Sequence, residues 1–398
     1  MQGGEQLQIN GLPEAEGAAL EHSRRLQALI SDEINNHDGL ISFSRFMQMA
    51  LYEPGLGYYS AGARKFGEAG DFVTAPEISS LFSICLARQC MQVIGELNDP
   101  VLLEVGAGSG TMAADILLYL QELDCLPAQY WILETSADLR QRQQAHLEDR
   151  LPGFYPKIRW LDAIPSESFE GVILANEVLD ALPVRRFRIE DSSVLEIGVT
   201  CREDKFTTLS YSAEEEFEGK VRSLLEQGLC GEHPAYESEL NDELDEWLLA
   251  LVEPLGRGIA LFIDYGYPAR EYYHEQRSQG SLLCHYRHRA HHDPLINIGL
   301  QDITASVNFT VLAEAALKAN LEVKGYTTQA FFLLGCGLEQ VLNSYQGDDQ
   351  RQQVEYARQV KLLTLPAEMG ERFKVMALGR DMDLDLTGFG IVDHRGKL

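Results

Sequence analysis

Val101-Leu-Leu-Glu104-Val-Gly106-Ala-Gly108-Ser-Gly110-Thr-Met-Ala113 is an apolar run that ends in three glycines and passes into a helical pattern. It reads as a buried strand, a tight turn and a helix whose first amides face the turn. Gly106 and Gly108 let the backbone bend and approach a ligand without a side chain in the way, and Gly110 lets the helix start lie close to the strand. Such a turn cradles a nucleotide-like ligand, and its simpler alternative is a glycine turn in an α/β sheet with no ligand.

The glycine spacing selects the ligand. Dinucleotide folds use G-x-G-x-x-G to bring a helix N-terminus onto a pyrophosphate, whereas this chain has G-x-G-x-G with Glu104 two positions before the first glycine. A carboxylate there repels a pyrophosphate but suits the ammonium of an amino-acid moiety, which points to S-adenosylmethionine.

Working outward, a helix over Met112 to Leu123 leads to the strand Gln129-Tyr-Trp-Ile-Leu-Glu134. Glu134 lies about twenty residues past the turn, where a doubly wound fold places an acid on ribose hydroxyls. A helix (Ala137 to Leu147) and the strand Ile158-Arg-Trp-Leu-Asp162 follow. Asp162 reads either as an acceptor for the exocyclic amine of adenine or as a cap. A fourth buried strand, Gly171-Val-Ile-Leu-Ala-Asn176-Glu177, closes on Val-Leu-Asp180-Ala-Leu-Pro183, at the strand ends where such sheets bind ligands.

The repeating pattern then breaks. Residues 184 to 212 alternate like antiparallel strands and 213 to 252 are acid-rich and helical, together an α+β insertion that helps build a partner-binding face. The sheet resumes at Gly258-Ile-Ala-Leu-Phe-Ile-Asp264-Tyr-Gly266. The polar segment from Gly280 to Pro294 reads as neither strand nor helix, and the histidine spacing from His285 to His292, with Arg287 and Arg289 interleaved, argues against a metal. Gln301-Asp302-Ile-Thr304 opens a helix, Val323 to Gln329 is a strand, and Phe373 to Leu378 pairs at the far edge.

Upstream, residues 1 to 97 form an N-terminal cap: a helix from His22 to His37, a second helix with Ser42 as N-cap, a Gly-rich loop through Gly70-Asp71-Phe-Val-Thr74-Ala-Pro76-Glu77, and a helix from about Ile78 to Ile94. The predicted organisation is thus a cap (1–97), a core (98–183 and 253–380), an insertion (184–252) and a tail (381–398).

The chain has 398 residues, 45% hydrophobic and 24% charged, ordinary for a globular protein. Its net charge of -28 argues against an extended nucleic-acid surface and fits a basic protein or peptide partner. No apolar run approaches the ~18 residues of a membrane span. The first residues lack both a signal h-region and the Arg-rich, acid-poor character of a transit peptide, so the expectation is cytoplasmic. Seven scattered cysteines with no C-x-x-C pair read as reduced, mostly buried thiols.

With these motifs together the chain resembles the MidA family of S-adenosylmethionine-dependent methyltransferases. The resemblance runs from about residue 40 to 380. Its carriers are Tyr52-Glu-Pro-Gly-Leu-Gly-Tyr-Tyr59, Gly70 to Glu77, Glu104 to Gly110, Asn176 to Pro183, Asp264-Tyr-Gly266, Asp302-Ile-Thr-Ala305, Asn308-Phe309 and Met369-Gly-Glu-Arg-Phe-Lys374. After Thr-Ala, where the family usually shows His, this chain has Ser306.

The resemblance implies a class I Rossmann-like α/β fold with a mostly parallel seven-stranded sheet, helices on both faces, a helical cap and an inserted substrate-binding subdomain. It implies cofactor contacts at Glu104, Gly106, Gly108, Gly110, Glu134, Asp162 and Asn176, with the loop bearing Asp71, Thr74 and Pro76 beside the pocket. Eukaryotic mitochondrial members act in respiratory complex I assembly as protein arginine methyltransferases. The implied partner is therefore a protein with an exposed arginine, in one version a respiratory complex subunit.

An arginine acceptor stays protonated and needs carboxylates to hold it and to help receive its proton. Glu177 and Asp180 are the first candidates and Glu77 the next; their plainer reading is as helix-start acids. Methylation of a small molecule or another side chain, or a cofactor-binding assembly factor without turnover, stay open beside the arginine reading.

Overall fold

The computed structural model describes residues 12–13, 15–61, 74–191, 193–230, 236–345 and 350–398. Helix α1 (Gly17–Asn36) buries Leu26, Ile30 and Ile34 along one face. After β1 (Ile41–Ser42), Ser42 caps α2 (Phe43–Tyr52) by accepting from the Arg45 amide at 3.1 Å. A short α3 (Ala75–Ile78) precedes α4 (Ser80–Ile94), and the break falls at Ser79, whose hydroxyl accepts from the Leu81 amide.

The alternating core follows with β2 (Val101–Val105), α5 (Thr111–Glu122), β3 (Gln129–Leu133), α6 (Ala137–Arg150), β4 (Ile158–Leu161) and β5 (Phe169–Asn176). The insertion contributes β6 (Arg185–Glu190), β7 (Ser193–Arg202), β8 (Lys205–Ser212), α7 (Glu215–Glu226) and β9 (Tyr236–Leu240). Then come α8 (Leu244–Val252), β10 (Leu255–Tyr267), α9 (Ala269–Tyr272), the short strands β11 (Leu283–Tyr286), β12 (Arg289–His291) and β13 (Asp302–Thr304), and β14 (Val307–Asn308). The chain ends on α10 (Phe309–Lys318), β15 (Glu322–Thr328), α11 (Gln329–Gly335), helices Leu338–Tyr345 and Gln350–Thr364, and β16 (Phe373–Arg380).

The main sheet runs β15-β16-β10-β5-β2-β3-β4, with β14 beside the end of β10. Strands β4, β3, β2, β5 and β10 are mutually parallel, and β16 runs antiparallel to both its neighbours. Helices cover both faces because successive strand residues point to opposite sides. Leu102, Val172 and Ile259 meet α4 and α5, while Leu103, Ile173 and Ala260 meet α8 and α10. The register pairs Val105 with Leu133 and Ala175, so the residues that follow, Gly106, Glu134 and Asn176, emerge side by side where the strand order reverses.

Several details depart from the sequence expectation. Strand β16 enters between β10 and β15 instead of closing the edge. It is buried on both faces, whereas Glu322 and Lys324 give β15 the polar character of an edge. Helix α4 packs on the main sheet, so the cap proper is α1, α2 and β1, which pairs with β7 of the insertion. Helix α8 buries Leu244, Leu248, Leu251 and Val252 on the core, which ends the insertion before residue 244. Strand β9, hidden in the acid-rich stretch, pairs with β6. His285 to His292 contributes to a three-stranded sheet, and Asp302–Thr304 is a strand; the helix opens later, at Asn308, whose side chain accepts from the amides of Thr310 and Val311. Among the described residues no helix is long and apolar enough to cross a membrane, and no His, Cys, Asp and Glu group could hold a metal ion.

Candidate active site

A cavity of about 300 Å³ opens along the carboxyl ends of β2, β3 and β5. At one end lies the glycine turn, where Gly106, Gly108 and Gly110 have φ of +67°, +54° and +84°. Side chains rarely adopt that region, which explains glycine at each position. At Gly110 this is the whole reason: an added Cβ would meet only ordinary contact, 3.6 Å from Gln143 of α6, so close approach to the strand is not what requires glycine.

Glu104 is 1% exposed and accepts from the Tyr130 hydroxyl at 2.6 Å. Burial pushes its pKa up to about 7; the Tyr130 hydrogen bond opposes the shift and the Glu134 charge adds to it. Glu134 is buried, with Oε1 accepting from the Ser136 amide at 2.8 Å and Oε2 from Gln143 Nε2 at 3.0 Å. The same Gln143 nitrogen donates to the Gly108 carbonyl at 3.0 Å, and its Oε1 accepts from the Trp160 indole at 3.0 Å. Gln143 thereby ties the glycine turn, the acid of β3 and β4 together; its place inside a polar helical run hid it from sequence reading. Glu77 accepts from the Ser109 hydroxyl, which brings α3 onto the turn.

At the other end the chain leaves β5 through Glu177, whose φ is +53°, with its amide donating to the Ile263 carbonyl at 2.9 Å. Asp264, at the same level of β10, takes the amides of Val178, Leu179 and Asp180 on Oδ2 at 3.2, 3.0 and 3.2 Å, and the Tyr265 amide on Oδ1 at 2.9 Å. These amides belong to a turn and not to a helix, so the reading of Glu177 and Asp180 as helix-start acids does not describe them. Burial, with the Asp180 charge next, pushes Glu177 up to about 8. Burial likewise raises Asp180 to about 6 against the pull of the Tyr265 hydroxyl. Asp180 Oδ1 and Asn176 Oδ1 are buried without a hydrogen-bond partner. Among the described residues no cation pairs with Glu177, Asp180 or Asp264.

The cavity wall therefore unites Glu104, Gly106, Gly108, Glu134 and Asn176 with Glu177, Asp180 and Glu77, and it takes in Thr74 and Pro76. Gly110 stands just behind it as the N-cap of α5. Asp71 lies outside the described residues. Asp162 departs from the expectation: it follows an edge strand, its side chain is 87% exposed and paired with Arg140 at 2.7 Å, and it is not part of the wall. Glu77 lines the same wall and accepts from Ser109 of the glycine turn. Sequence reading assigned no role to Tyr52 and Tyr59, which line the cavity, or to Asp264; all three stand in motifs that carry the family resemblance.

The wall fits an amino-acid-bearing nucleoside. Its volume lies at the lower end of the roughly 300–1,000 Å³ of small-molecule sites. Glu104, near neutrality when buried alone, gains a counter-charge from an ammonium. The unpartnered Asn176 Oδ1 offers an acceptor.

Comparison with known proteins agrees with this geometry. The family model described as "Putative S-adenosyl-L-methionine-dependent methyltransferase" matches residues 85–327. A crystal structure from Burkholderia thailandensis with S-adenosyl-homocysteine bound is 41% identical and superposes with a TM-score of 0.92, covering 98% of this chain and 100% of that one. The Drosophila melanogaster protein arginine methyltransferase NDUFAF7 homolog, mitochondrial, is 28% identical over 371 residues, 85% of this chain and 82% of that protein. The Homo sapiens protein arginine methyltransferase NDUFAF7, mitochondrial, is 27% identical over 377 residues, 85% of this chain and 80% of that protein. The glycine turn with its preceding acid, on a sheet of this order, and the match over 85–327 place the chain in the MidA-like family of S-adenosyl-L-methionine-dependent methyltransferases.

Proposed function

We propose that the protein methylates a guanidinium nitrogen of an arginine on a partner protein. The observation that carries this reading is the acidic end of the cavity: Glu177, half-buried, and Asp180, buried, both unpaired with any described cation, face the same space as the glycine turn. The protein arginine methyltransferase names of the relatives support it. A respiratory complex subunit as the partner, and a cytoplasmic site of action, belong to the same proposal.

In this reading Glu134, held by Gln143 and Ser136, receives the ribose, and Glu104 the ammonium. S-adenosylmethionine, when bound, supplies a methyl group on a sulfonium that leaves as a neutral thioether. The work of the chain is positional. Glu177 and Asp180 hold the acceptor cation and orient one nitrogen. As the carbon–nitrogen bond forms that nitrogen sheds a proton, and Glu177, with its pKa raised to about 8, is the stronger base of the two to receive it. Asp264 holds the turn that carries both groups, and Glu77 and Ser109 join α3 to the donor end.

The test is transfer of labelled methyl groups to proteins of the source organism, followed by mapping of the modified residue. Label in methylated arginine, transferred more slowly with Glu177→Gln, is expected. Label confined to lysine, another side chain or a small molecule, or no transfer at all, overturns the proposal.

A further inference from the structure

Beside the carboxylates the cavity has an aromatic side. Tyr52 and Tyr59 both line it and stack on each other, ring centroids 5.6 Å apart and 23° between planes. Their hydroxyls are already engaged. Tyr52 donates to the Ala181 carbonyl at 2.9 Å, and Tyr59 donates to Asp302 Oδ1 and Oδ2 at 2.9 and 3.0 Å. Tyr58, buried, packs its ring edge-on against Tyr59 at 5.1 Å. The two rings are therefore fixed in orientation and present apolar surface to the cavity. They also sit in the field of the acidic end: burial first, then the charges of Asp302 and Asp180, push both phenols up. Asp180 is 94% buried, and its unpartnered Oδ1 belongs to the same wall.

We infer that Tyr52 and Tyr59 form an aromatic wall that makes the acceptor end select a planar guanidinium over a compact ammonium ion. The inference rests on the proposed acceptor site and adds the residues that set its specificity. A guanidinium is flat, delocalised and weakly hydrated, so it stacks on a phenol face while its edge N–H groups fork onto carboxylates. An ammonium has no face to stack and gives up a tighter hydration shell to enter. Carboxylates alone attract either cation; the rings supply the difference. Asp302 accepts from the Tyr59 hydroxyl, while the ring itself is held by its packing on Tyr52 and Tyr58.

The test uses the full chain and two small probes, ethylguanidinium and n-butylammonium, titrated by NMR at pH 8.5, where Glu177 is largely ionised. Wild type is expected to bind ethylguanidinium about tenfold more tightly, the size of one desolvated cation–π contact. Tyr59→Phe keeps most of that preference. Tyr52→Leu and Tyr59→Leu each reduce it toward equality, with S-adenosylhomocysteine affinity unchanged as the check on folding. Tyr52 is 36% exposed, so its variant decides the matter if Tyr59→Leu does not fold. Equal binding of the two probes by wild type, or an undiminished preference in Tyr52→Leu, overturns the inference. Failure of the arginine reading shows separately in the mapping experiment, because probe binding needs no turnover.

Discussion

Replacing Glu177 by Gln removes one charge from the acidic end while keeping its shape, and the structure sets both the size and the pH dependence of the effect. A charge-assisted contact to the acceptor is worth about 1.5–3 kcal/mol, a factor of roughly ten to a hundred. Only the ionised carboxylate makes that contact. Burial and the Asp180 charge raise Glu177 to about 8, so at pH 7 about a tenth of empty sites carry the charge and at pH 9 nearly all do. Ionisation at pH 7 therefore offsets about 1.4 kcal/mol of the contact. The proposed acceptor does not titrate here, since a guanidinium stays protonated over the whole range assayed. Changes at the donor end, including Glu104, affect wild type and variant alike and cancel in the ratio. The ratio of wild-type to Glu177→Gln kcat/KM should widen about tenfold between pH 7 and pH 9, with donor affinity equal in both proteins. Single-substrate kinetics on the mapped acceptor at five or six pH values measure it. A ratio that is flat, or that narrows as pH rises, refutes the reasoning.

Three further outcomes follow from the same geometry. Glu134→Ala should weaken S-adenosylmethionine binding by on the order of 1–3 kcal/mol in calorimetry, the value of a charged hydrogen-bond acceptor; unchanged affinity would remove Glu134 from the donor site. Gln143→Leu should weaken the same binding by roughly 1–2 kcal/mol while leaving kcat at saturating donor unchanged, because Gln143 acts through Glu134 and Gly108; a loss of kcat with normal affinity would contradict that positioning role. Glu104 and Glu177 have raised pKa values of about 7 and about 8, so the folded chain holds protons that the unfolded chain releases above pH 4.5. Their contribution to stability is present at low pH and lost as pH rises through about 7 to 8, by up to several kcal/mol. Thermal melts of the ligand-free protein should therefore fall between pH 6 and pH 9, and a pH-independent midpoint would show that these carboxylates do not hold their protons toward neutral pH.

Much of the fold was legible because the core strands carry local signals. The strands ending at Val105, Leu133 and Asn176 are short apolar runs closed by glycine or an acid, and their parallel stacking follows from the helices between them. Sheet position was less legible. That β16 lies inside and β15 at the edge depends on long-range pairing, although the polar alternation of Glu322-Val-Lys324 against the apolar run of β16 carried a hint. The acid-rich composition of 213 to 252, read as helical throughout, concealed the strand Tyr236–Leu240 and the packing of the helix Leu244–Val252 on the core, since local charge says little about what the opposite face covers. At the site, acids at strand ends could be placed because register brings strand ends together. Gln143, Asp264, Tyr52 and Tyr59 could not, because each is tied to the site by a contact between residues 9 to 243 positions apart in the chain, and no local pattern marks such a contact. Asp162 shows the converse: a strand-ending acid whose edge position turned it to solvent and to Arg140.

The proposed reaction places its donor at the glycine turn and its acceptor at Glu177 and Asp180, at two ends of one cavity. A crystal structure of this protein with S-adenosylhomocysteine and ethylguanidinium measures both ends at once. The expected result is the ribose hydroxyls on Glu134, the amino group at Glu104, and the guanidinium between the carboxylates of Glu177 and Asp180 on the Tyr52 and Tyr59 side, with the thioether sulfur facing it. Ribose density away from Glu134, or a guanidinium bound anywhere but the Glu177 and Asp180 end, would contradict it.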